Sequence, residues 1–212
     1  MSIQISRIAF PITSLGPGRY LGLWVQGCSI ACPGCISKDT WDKQGGTSAD
    51  EQWLSDLIIK TIREENLDGI VVTGGEPTEQ ASSLEQVLSL VTEKLPGMRV
   101  VMFSGIPRED LLANHATLIS SIDLAICGPY ISDLPSQRPL IASENQQYAI
   151  CSDRGYELLT NASTTNVVNS IQVNINDGDV TMVGLPFPHG MEALEEELQS
   201  RGIVFGEVSW KK

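Results

Sequence analysis

The stretch Gly69-Ile-Val-Val-Thr-Gly-Gly-Glu-Pro77 decides the fold class. Its uncharged β-branched run predicts a buried strand, and the glycine pair that follows predicts a tight turn at the end of that strand. Apolar residues with helical spacing lie on both sides, from Ala49 to Asn66 and from Ser82 to Leu95. A strand between two helices of this length is typical of βαβ units and of a parallel sheet. We therefore predict an α/β fold.

The same alternation extends in both directions from this stretch. Tyr20 to Gln26 predicts a short buried strand that leads directly into a cysteine-rich loop. Arg99 to Phe103 predicts the next strand, Arg108 to Ile122 the next helix, and Asp123 to Cys127 the strand after that. Ligands of parallel sheets gather at the C-terminal ends of the strands. We therefore expect the loops that follow these strands to lie on one rim.

The pattern changes after Gln147. Tyr148 to Cys151 predicts one more strand, whereas the polar stretch from Tyr156 to Asn169 predicts no clear element. Further on, the sequence predicts a hairpin that turns around Asp177-Gly178 and a short acidic helix from Met191 to Arg201. We therefore divide the chain into a core, residues 1–152, and a small C-terminal α+β extension, residues 153–212, packed on that core.

Composition and charge exclude several classes of function. The 212-residue chain has 14 basic and 26 acidic residues, for a formal net charge of −12. A protein with this charge lacks the uniformly basic surface that binds nucleic acid, and an anionic membrane surface would repel it. No run approaches the roughly 20 uncharged residues of a membrane span, and residues 1–8 lack the layout of a signal peptide. We expect a cytoplasmic protein.

Three of the five cysteines fall within eight residues, in the pattern Cys28-x3-Cys32-x2-Cys35. In a reducing compartment, clustered cysteines more often bind metal or perform redox chemistry than form disulfides. Three thiolates on one loop can reach three corners of a cubane cluster, and Gly27 and Gly34 allow the backbone to curl around it. With three local cysteines, one iron keeps an open coordination position, as in catalytic metal sites.

Two other interpretations of this loop remain open at the level of spacing. A structural zinc site would need a fourth ligand from Cys127, Cys151 or one of the two histidines, His115 and His189. An electron-transfer ferredoxin would need a fourth cysteine to close its cluster. Neither interpretation explains why several glycine-containing turns follow the other predicted strands.

The chain resembles the radical S-adenosylmethionine superfamily. Within it, the resemblance is greatest to activating enzymes of glycyl-radical proteins, above all those of anaerobic ribonucleotide reductase. It covers residues 3 to 150 and is carried by Gly16-Pro17-Gly18-Arg19-Tyr20, Trp24-Val25-Gln26-Gly27-Cys28, Cys32-Pro33-Gly34-Cys35 with Thr40-Trp41-Asp42, Gly74-Gly75-Glu76, and Gly128-Pro129-Tyr130 with Ser143-Glu144-Asn145-Gln146.

The resemblance implies a partial (β/α) barrel of the radical S-adenosylmethionine type, with one [4Fe–4S] cluster and S-adenosylmethionine as cofactors. It implies that Cys28, Cys32 and Cys35 are both the metal ligands and the catalytic residues. Other cofactor-binding roles are carried over by position: Gly74, Gly75 and Glu76 to the methionine amino group, Ser104 with Gly105 to the ribose or carboxylate, and Asn145 with Gln146 to the nucleoside.

The resemblance also implies a reaction and partners. A flavodoxin- or ferredoxin-like protein would reduce the cluster, and reductive cleavage of S-adenosylmethionine would give a 5′-deoxyadenosyl radical. That radical would remove a hydrogen atom from a glycine of a partner glycyl-radical enzyme. The cofactor carries out the difficult chemistry, while the protein binds and orients the reactants and excludes water.

Three features depart from the family pattern. Ile36-Ser37 follow the third cysteine, where the activators have His or Tyr and then Asn, and Cys127 takes the place of an acid before Gly128-Pro129. The tail from Asp153 is longer than usual. These departures support an alternative, in which the same radical chemistry modifies a peptide or a small metabolite. An alternative of another class is a non-catalytic zinc or iron–sulfur electron-transfer module.

Overall fold

The structure, a computed structural model, describes residues 2–164, 170–176, 179–185 and 190–204. Strands and helices alternate through the first 150 residues, and a helix, a hairpin and another helix follow. Their bounds are β1 (Ser2–Ile12), β2 (Tyr20–Val25), β3 (Thr47–Asp50), α1 (Glu51–Glu65), β4 (Gly69–Gly74), α2 (Ala81–Lys94), β5 (Arg99–Ser104), α3 (Arg108–Asn114), α4 (Ala116–Ile119), β6 (Leu124–Cys127), β7 (Gln147–Ile150), α5 (Asp153–Thr164), β8 (Ile171–Asn176), β9 (Asp179–Gly184) and α6 (Gly190–Ser200).

Within the described ranges the first seven strands form one sheet in the order β3-β1-β2-β4-β5-β6-β7. The four central strands β2, β4, β5 and β6 are parallel, and antiparallel strands flank them on both sides. The α/β class with a parallel centre is confirmed. Strand pairing does not define the curvature of the sheet, so the barrel type stays a prediction.

Side chains of the central strands alternate between two apolar layers. On β2, Leu21 and Leu23 pack with the first four helices, whereas Tyr20 and Trp24 pack into a second layer on the opposite face. Strands buried on both faces are apolar along their whole length. This explains why the sequence predicted these strands as continuous apolar runs.

The helix predicted from Arg108 to Ile122 is wrong as a single element. It is broken into α3 and α4 at His115, whose backbone (φ −128°, ψ 38°) is not helical. Asparagine and histidine are weak helix formers, so Asn114-His115 favour a break. The break still leaves Leu111 and Leu118 buried in the same apolar layer.

Helix α5 and strand β9 contribute side chains to the second apolar layer of the sheet. The stretch that predicted no clear element contains α5, which buries Leu158 and Ala162 in the second apolar layer. The predicted hairpin and acidic helix are confirmed as β8–β9 and α6, while the predicted turn at Asp177-Gly178 lies outside the described residues. Where the chain is described, no helix has the length and apolar character needed to cross a membrane.

Candidate metal centre

The four parallel strands end at one edge of the sheet, as the sequence predicted. Val25 at the end of β2 lies in register with Gly74 at the end of β4, and Ser104 at the end of β5 lies in register with Cys127 of β6. The loops that leave these ends line one cavity of about 420 Å³. The cysteine loop, the Gly-Gly-Glu turn and Ser104-Gly105 therefore share a single site.

Backbone hydrogen bonds tie the start of the cysteine loop to the segment that follows it. The N–H of Gly27 donates to the carbonyl of Thr40 (2.8 Å), and the N–H of Cys28 donates to that of Trp41 (3.1 Å). The side-chain amide of Gln26 donates to two further carbonyls of this segment, at 2.8 and 3.2 Å. Positive φ angles at Gly27 (97°) and Gly34 (80°) turn the loop, as predicted from its glycines.

The three thiols are free, partly buried and exposed to the same cavity. Burial raises the pKa of Cys32 and of Cys35, and nearby Cys28 adds to both increases. Thiolates gathered in this way repel one another, and a bound metal centre offsets that repulsion. Three soft ligands from one loop that line the same cavity therefore fit an iron–sulfur cluster.

Gly75 brings the Gly-Gly-Glu turn against the cysteine loop. Its N–H donates to the carbonyl of Val25 (2.8 Å), and the N–H of Glu76 donates to the carbonyl of Gly27 (2.8 Å). A Cβ at position 75 would lie 2.1 Å from the oxygen of Gly27, so the close approach requires glycine. The turn and the loop thus form one packed unit.

Glu76 is buried (2% exposed) and holds the ends of two strands together. Its Oε1 accepts hydrogen bonds from the Thr78 N–H (3.0 Å), the Thr78 hydroxyl (2.7 Å) and the Ser104 hydroxyl (2.8 Å). Its Oε2 accepts the N–H of Gly105 at 2.7 Å. Glu76 and Ser104, both predicted to touch a cofactor, therefore also bind each other beside the cavity. The cofactor role of Gly74, Gly75, Glu76 and Ser104 stays a prediction.

The two amides predicted to contact a nucleoside lie in different environments. Asn145 is not among the residues that line the cavity, and its Nδ2 donates to the carbonyl of Pro129 (2.7 Å). Gln146 does line the cavity, although its side chain bonds to Gly128, Ala142 and Ser143. Both amides therefore fix the loop after β6, and the nucleoside role of Asn145 stays a prediction.

Sequence reasoning missed two residues that position the cysteine loop from the short 3-10 helix Pro77–Gln80. Glu79 accepts hydrogen bonds from the N–H (2.6 Å) and the hydroxyl of Ser29 and pairs with Lys43 (2.7 Å). Gln80 bonds to the backbone of Gln4 on β1 and of Gln26. The hydrogen bonds to Ser29, Gln26 and Gln4 join residues 50 to 76 positions apart, so no local sequence pattern indicates them.

A second unpredicted group lines the cavity from β1 and β2. The guanidinium of Arg7 pairs with Asp39 (2.5 Å) and stands over the ring of Trp24, 5.2 Å from its centroid. The three side chains form a compact cluster in which the two charges neutralise each other.

The candidates for a fourth zinc ligand that the structure describes, Cys127, Cys151 and His115, do not line the cavity. Cys127 is buried (1% exposed) in the apolar layer beneath the helices. His189 lies outside the described residues. Throughout the described ranges, no three His, Cys, Asp or Glu side chains are arranged to hold a metal ion. A cubane distributes its thiolates over different irons, so its ligands need not converge on one point.

Comparisons with known proteins agree with this site. Residues 14–149 match the family described as a 4Fe-4S single cluster domain. The anaerobic ribonucleoside-triphosphate reductase-activating protein of Enterobacteria phage T4 is 25% identical over 134 residues, which are 62% of this chain and 84% of that protein. Its namesake in Escherichia coli (strain K12) is 26% identical over 125 residues, covering 56% of this chain and 79% of that protein. The pyruvate formate-lyase-activating enzyme of Streptococcus mutans is 34% identical over 83 residues, which are 37% of this chain and 31% of that enzyme.

Proposed function

Because the chain belongs to the 4Fe-4S single cluster domain family, we propose that it holds one [4Fe–4S] cluster on Cys28, Cys32 and Cys35. We propose further that it cleaves S-adenosylmethionine reductively and installs a glycyl radical on a partner enzyme, such as an anaerobic ribonucleotide reductase. The observation that carries the proposal is the meeting of three thiols with the Gly-Gly-Glu turn in one cavity. Relatives with activating-protein names support the choice of partner.

We assign a different role to each group of residues that lines the cavity. The three thiols anchor the cluster, and the open position of the fourth iron would receive the methionine part of S-adenosylmethionine beside Gly74 and Gly75. Glu76 and Ser104 keep the ends of β4 and β5 in place. The carbonyls and the carboxylate of this rim would receive the ammonium group. When bound, the cluster and S-adenosylmethionine would supply the 5′-deoxyadenosyl radical chemistry that removes a hydrogen atom from the substrate. The apolar part of the lining keeps water away from that chemistry.

Three further assignments belong to the same proposal. The sheet would have the curvature of a partial (β/α) barrel, with residues 153–212 as an extension that covers its second face. A flavodoxin- or ferredoxin-like protein would supply the electron, and a cytoplasmic, oxygen-poor setting would suit the cluster. A peptide or small-metabolite substrate is the alternative outcome of the tests below.

The experiment begins with anaerobic purification followed by iron and sulfide analysis. About four irons and four sulfides per chain are expected, lost together in Cys28→Ala and retained in the buried control Cys127→Ala. With S-adenosylmethionine and dithionite, the wild type should form 5′-deoxyadenosine. A glycyl-radical protein from the same host should then show a doublet EPR signal. Cluster and cleavage without a doublet on any such partner would favour the peptide or metabolite alternative, and zinc in place of iron would refute the proposal.

A further inference from the structure

The hairpin β8–β9 and the start of α6 form part of the cavity, although they lie beyond the family-matched residues 14–149. Apart from Thr181, the side chains that they contribute are apolar: Ile171, Met182, Val183, Leu185 and Met191. The C-terminal extension therefore contributes to the site itself and does more than cover the sheet.

Specific contacts fix the hairpin in place. The side-chain amide of Gln172 donates to the carbonyl of Pro11 (2.7 Å) and accepts the N–H of Thr13 (2.8 Å). The buried hydroxyl of Ser14 donates to the carbonyl of Val183 (2.8 Å), whose side chain is 3% exposed in the second apolar layer. Polar bonds on both hairpin strands and one apolar anchor give this wall a defined position.

The charged side chains that line the cavity already have partners within the chain. Arg7 and Asp39 pair with each other, and the carboxylate of Glu76 accepts four hydrogen bonds. Leu15 and Phe103 continue the apolar lining beside the hairpin. A charged substrate group placed beside the hairpin would lose its hydration without gaining a partner, which opposes its binding.

We propose that the hairpin is the specificity-determining wall of the site, and that the part of the substrate that contacts it is an uncharged, apolar peptide segment. This inference rests on the proposed function and names the side chains that its protein substrate presents. Methionine side chains suit the role, since they are flexible and polarisable and adapt to varied peptide surfaces. Met182 and Met191 both line the cavity.

The test uses two synthetic nonapeptides with a central glycine, one flanked by Val and Ala and one flanked by Asp. Binding to the anaerobically reconstituted enzyme with S-adenosylmethionine is measured by fluorescence anisotropy, for the wild type and for Met182→Lys, Met182→Leu and Val173→Lys. Val173 is the matched control, because it lies directly across the hairpin from Met182, is 48% exposed and does not line the cavity.

The apolar peptide should bind the wild type at least about tenfold more tightly than the Asp peptide. Met182→Lys should weaken the apolar peptide by about tenfold and strengthen the Asp peptide, while Met182→Leu and Val173→Lys change either by less than about twofold. The gain for the Asp peptide cannot arise from misfolding. Absence of binding by the apolar peptide, equal affinity for the two peptides, or equal effects of Met182→Lys and Val173→Lys would overturn the inference.

Substrate-free formation of 5′-deoxyadenosine with dithionite separates this inference from the proposed function. If the wild type cleaves S-adenosylmethionine but shows no peptide preference, the hairpin assignment alone fails. If the wild type with a full cluster forms no 5′-deoxyadenosine, the proposed function fails.

Discussion

Replacing Glu76 tests whether its carboxylate holds the rim of the site together. In Glu76→Gln, an amide oxygen at the Oε1 position keeps Thr78 and Ser104 as donors, but the amide nitrogen then faces the N–H of Gly105. One charge-assisted hydrogen bond is lost and a donor is left without an acceptor, which should cost about 2 kcal/mol of unfolding free energy. In Glu76→Ala all four donors lose their acceptor. Water can reach the two donors of the half-buried Thr78 and limits the loss, so we expect the unfolding free energy to fall by about 4 kcal/mol.

Thermal unfolding of the cluster-free protein under reductant, followed by circular dichroism, measures both variants. For a chain of this size each kcal/mol corresponds to roughly 2–4 °C, so Tm should fall by about 4–8 °C for Glu76→Gln and about 8–16 °C for Glu76→Ala. Glu93→Gln is the control, because its side chain is 70% exposed and its removal should cost less than about 0.5 kcal/mol. If Glu76→Ala unfolded within about 2 °C of the wild type, the hydrogen bonds to Glu76 would not stabilise the rim.

Other substitutions test the packing around the cysteine loop. Gly75→Ala should push the loop away from the turn and abolish cluster retention, whereas Gly97→Ala, with nothing within 4 Å of the added Cβ, should retain iron as the wild type does. Burial acts to raise the pKa of Glu79, but its bonds to Lys43 and Ser29 outweigh this and leave it lowered, so the carboxylate is charged near neutral pH. Glu79→Ala removes the acceptor of Ser29 and should speed the loss of iron to a chelator severalfold. Lys43→Ala should hardly change that rate, because the Lys43 side chain is 62% exposed. Equal rates of iron loss in the two variants would argue against the Ser29 contact as the anchor of the loop. Burial raises the pKa of Cys127 to about 12, so iodoacetamide at pH 8.5 should leave this thiol unlabelled in the folded protein and label it after denaturation; labelling in the folded state would place it at an accessible surface.

The central strands could be predicted from the sequence because burial on both faces leaves a local signature. Val71 and Val72 face opposite layers, and both are fully buried. Strand β1 and its neighbour at the edge of the sheet, β3, lack this signature. β3 is the four polar or small residues Thr47–Asp50, and pairing with β1 makes it a strand.

The three cysteines that we propose as cluster ligands could be placed together for a similar reason. Cys28, Cys32 and Cys35 lie on one loop, so their spacing alone brings them together. The residues that position this loop are distant in sequence, and their placement depends on the finished sheet. Glu79 reaches Ser29 across 50 residues, and Gln172 reaches Thr13 across 159.

The contribution of the C-terminal extension to the site lay beyond sequence reasoning. The hairpin was predicted from alternation and turn residues, which say nothing of where a two-stranded unit docks. Its position follows from hydrogen bonds to Pro11 and Ser14 and from burial of Val183 in the second apolar layer. Such long-range contacts carry no sequence pattern of their own.

The central claim is that three thiolates leave one iron open for S-adenosylmethionine. Pulsed ENDOR spectroscopy on the anaerobically reduced protein, with S-adenosylmethionine carrying ¹⁵N in its amino group, measures this directly. A resolved ¹⁵N coupling to the cluster is expected in the wild type. A full, reduced cluster that shows no such coupling, with a protein side chain bound at the fourth iron instead, would contradict the claim.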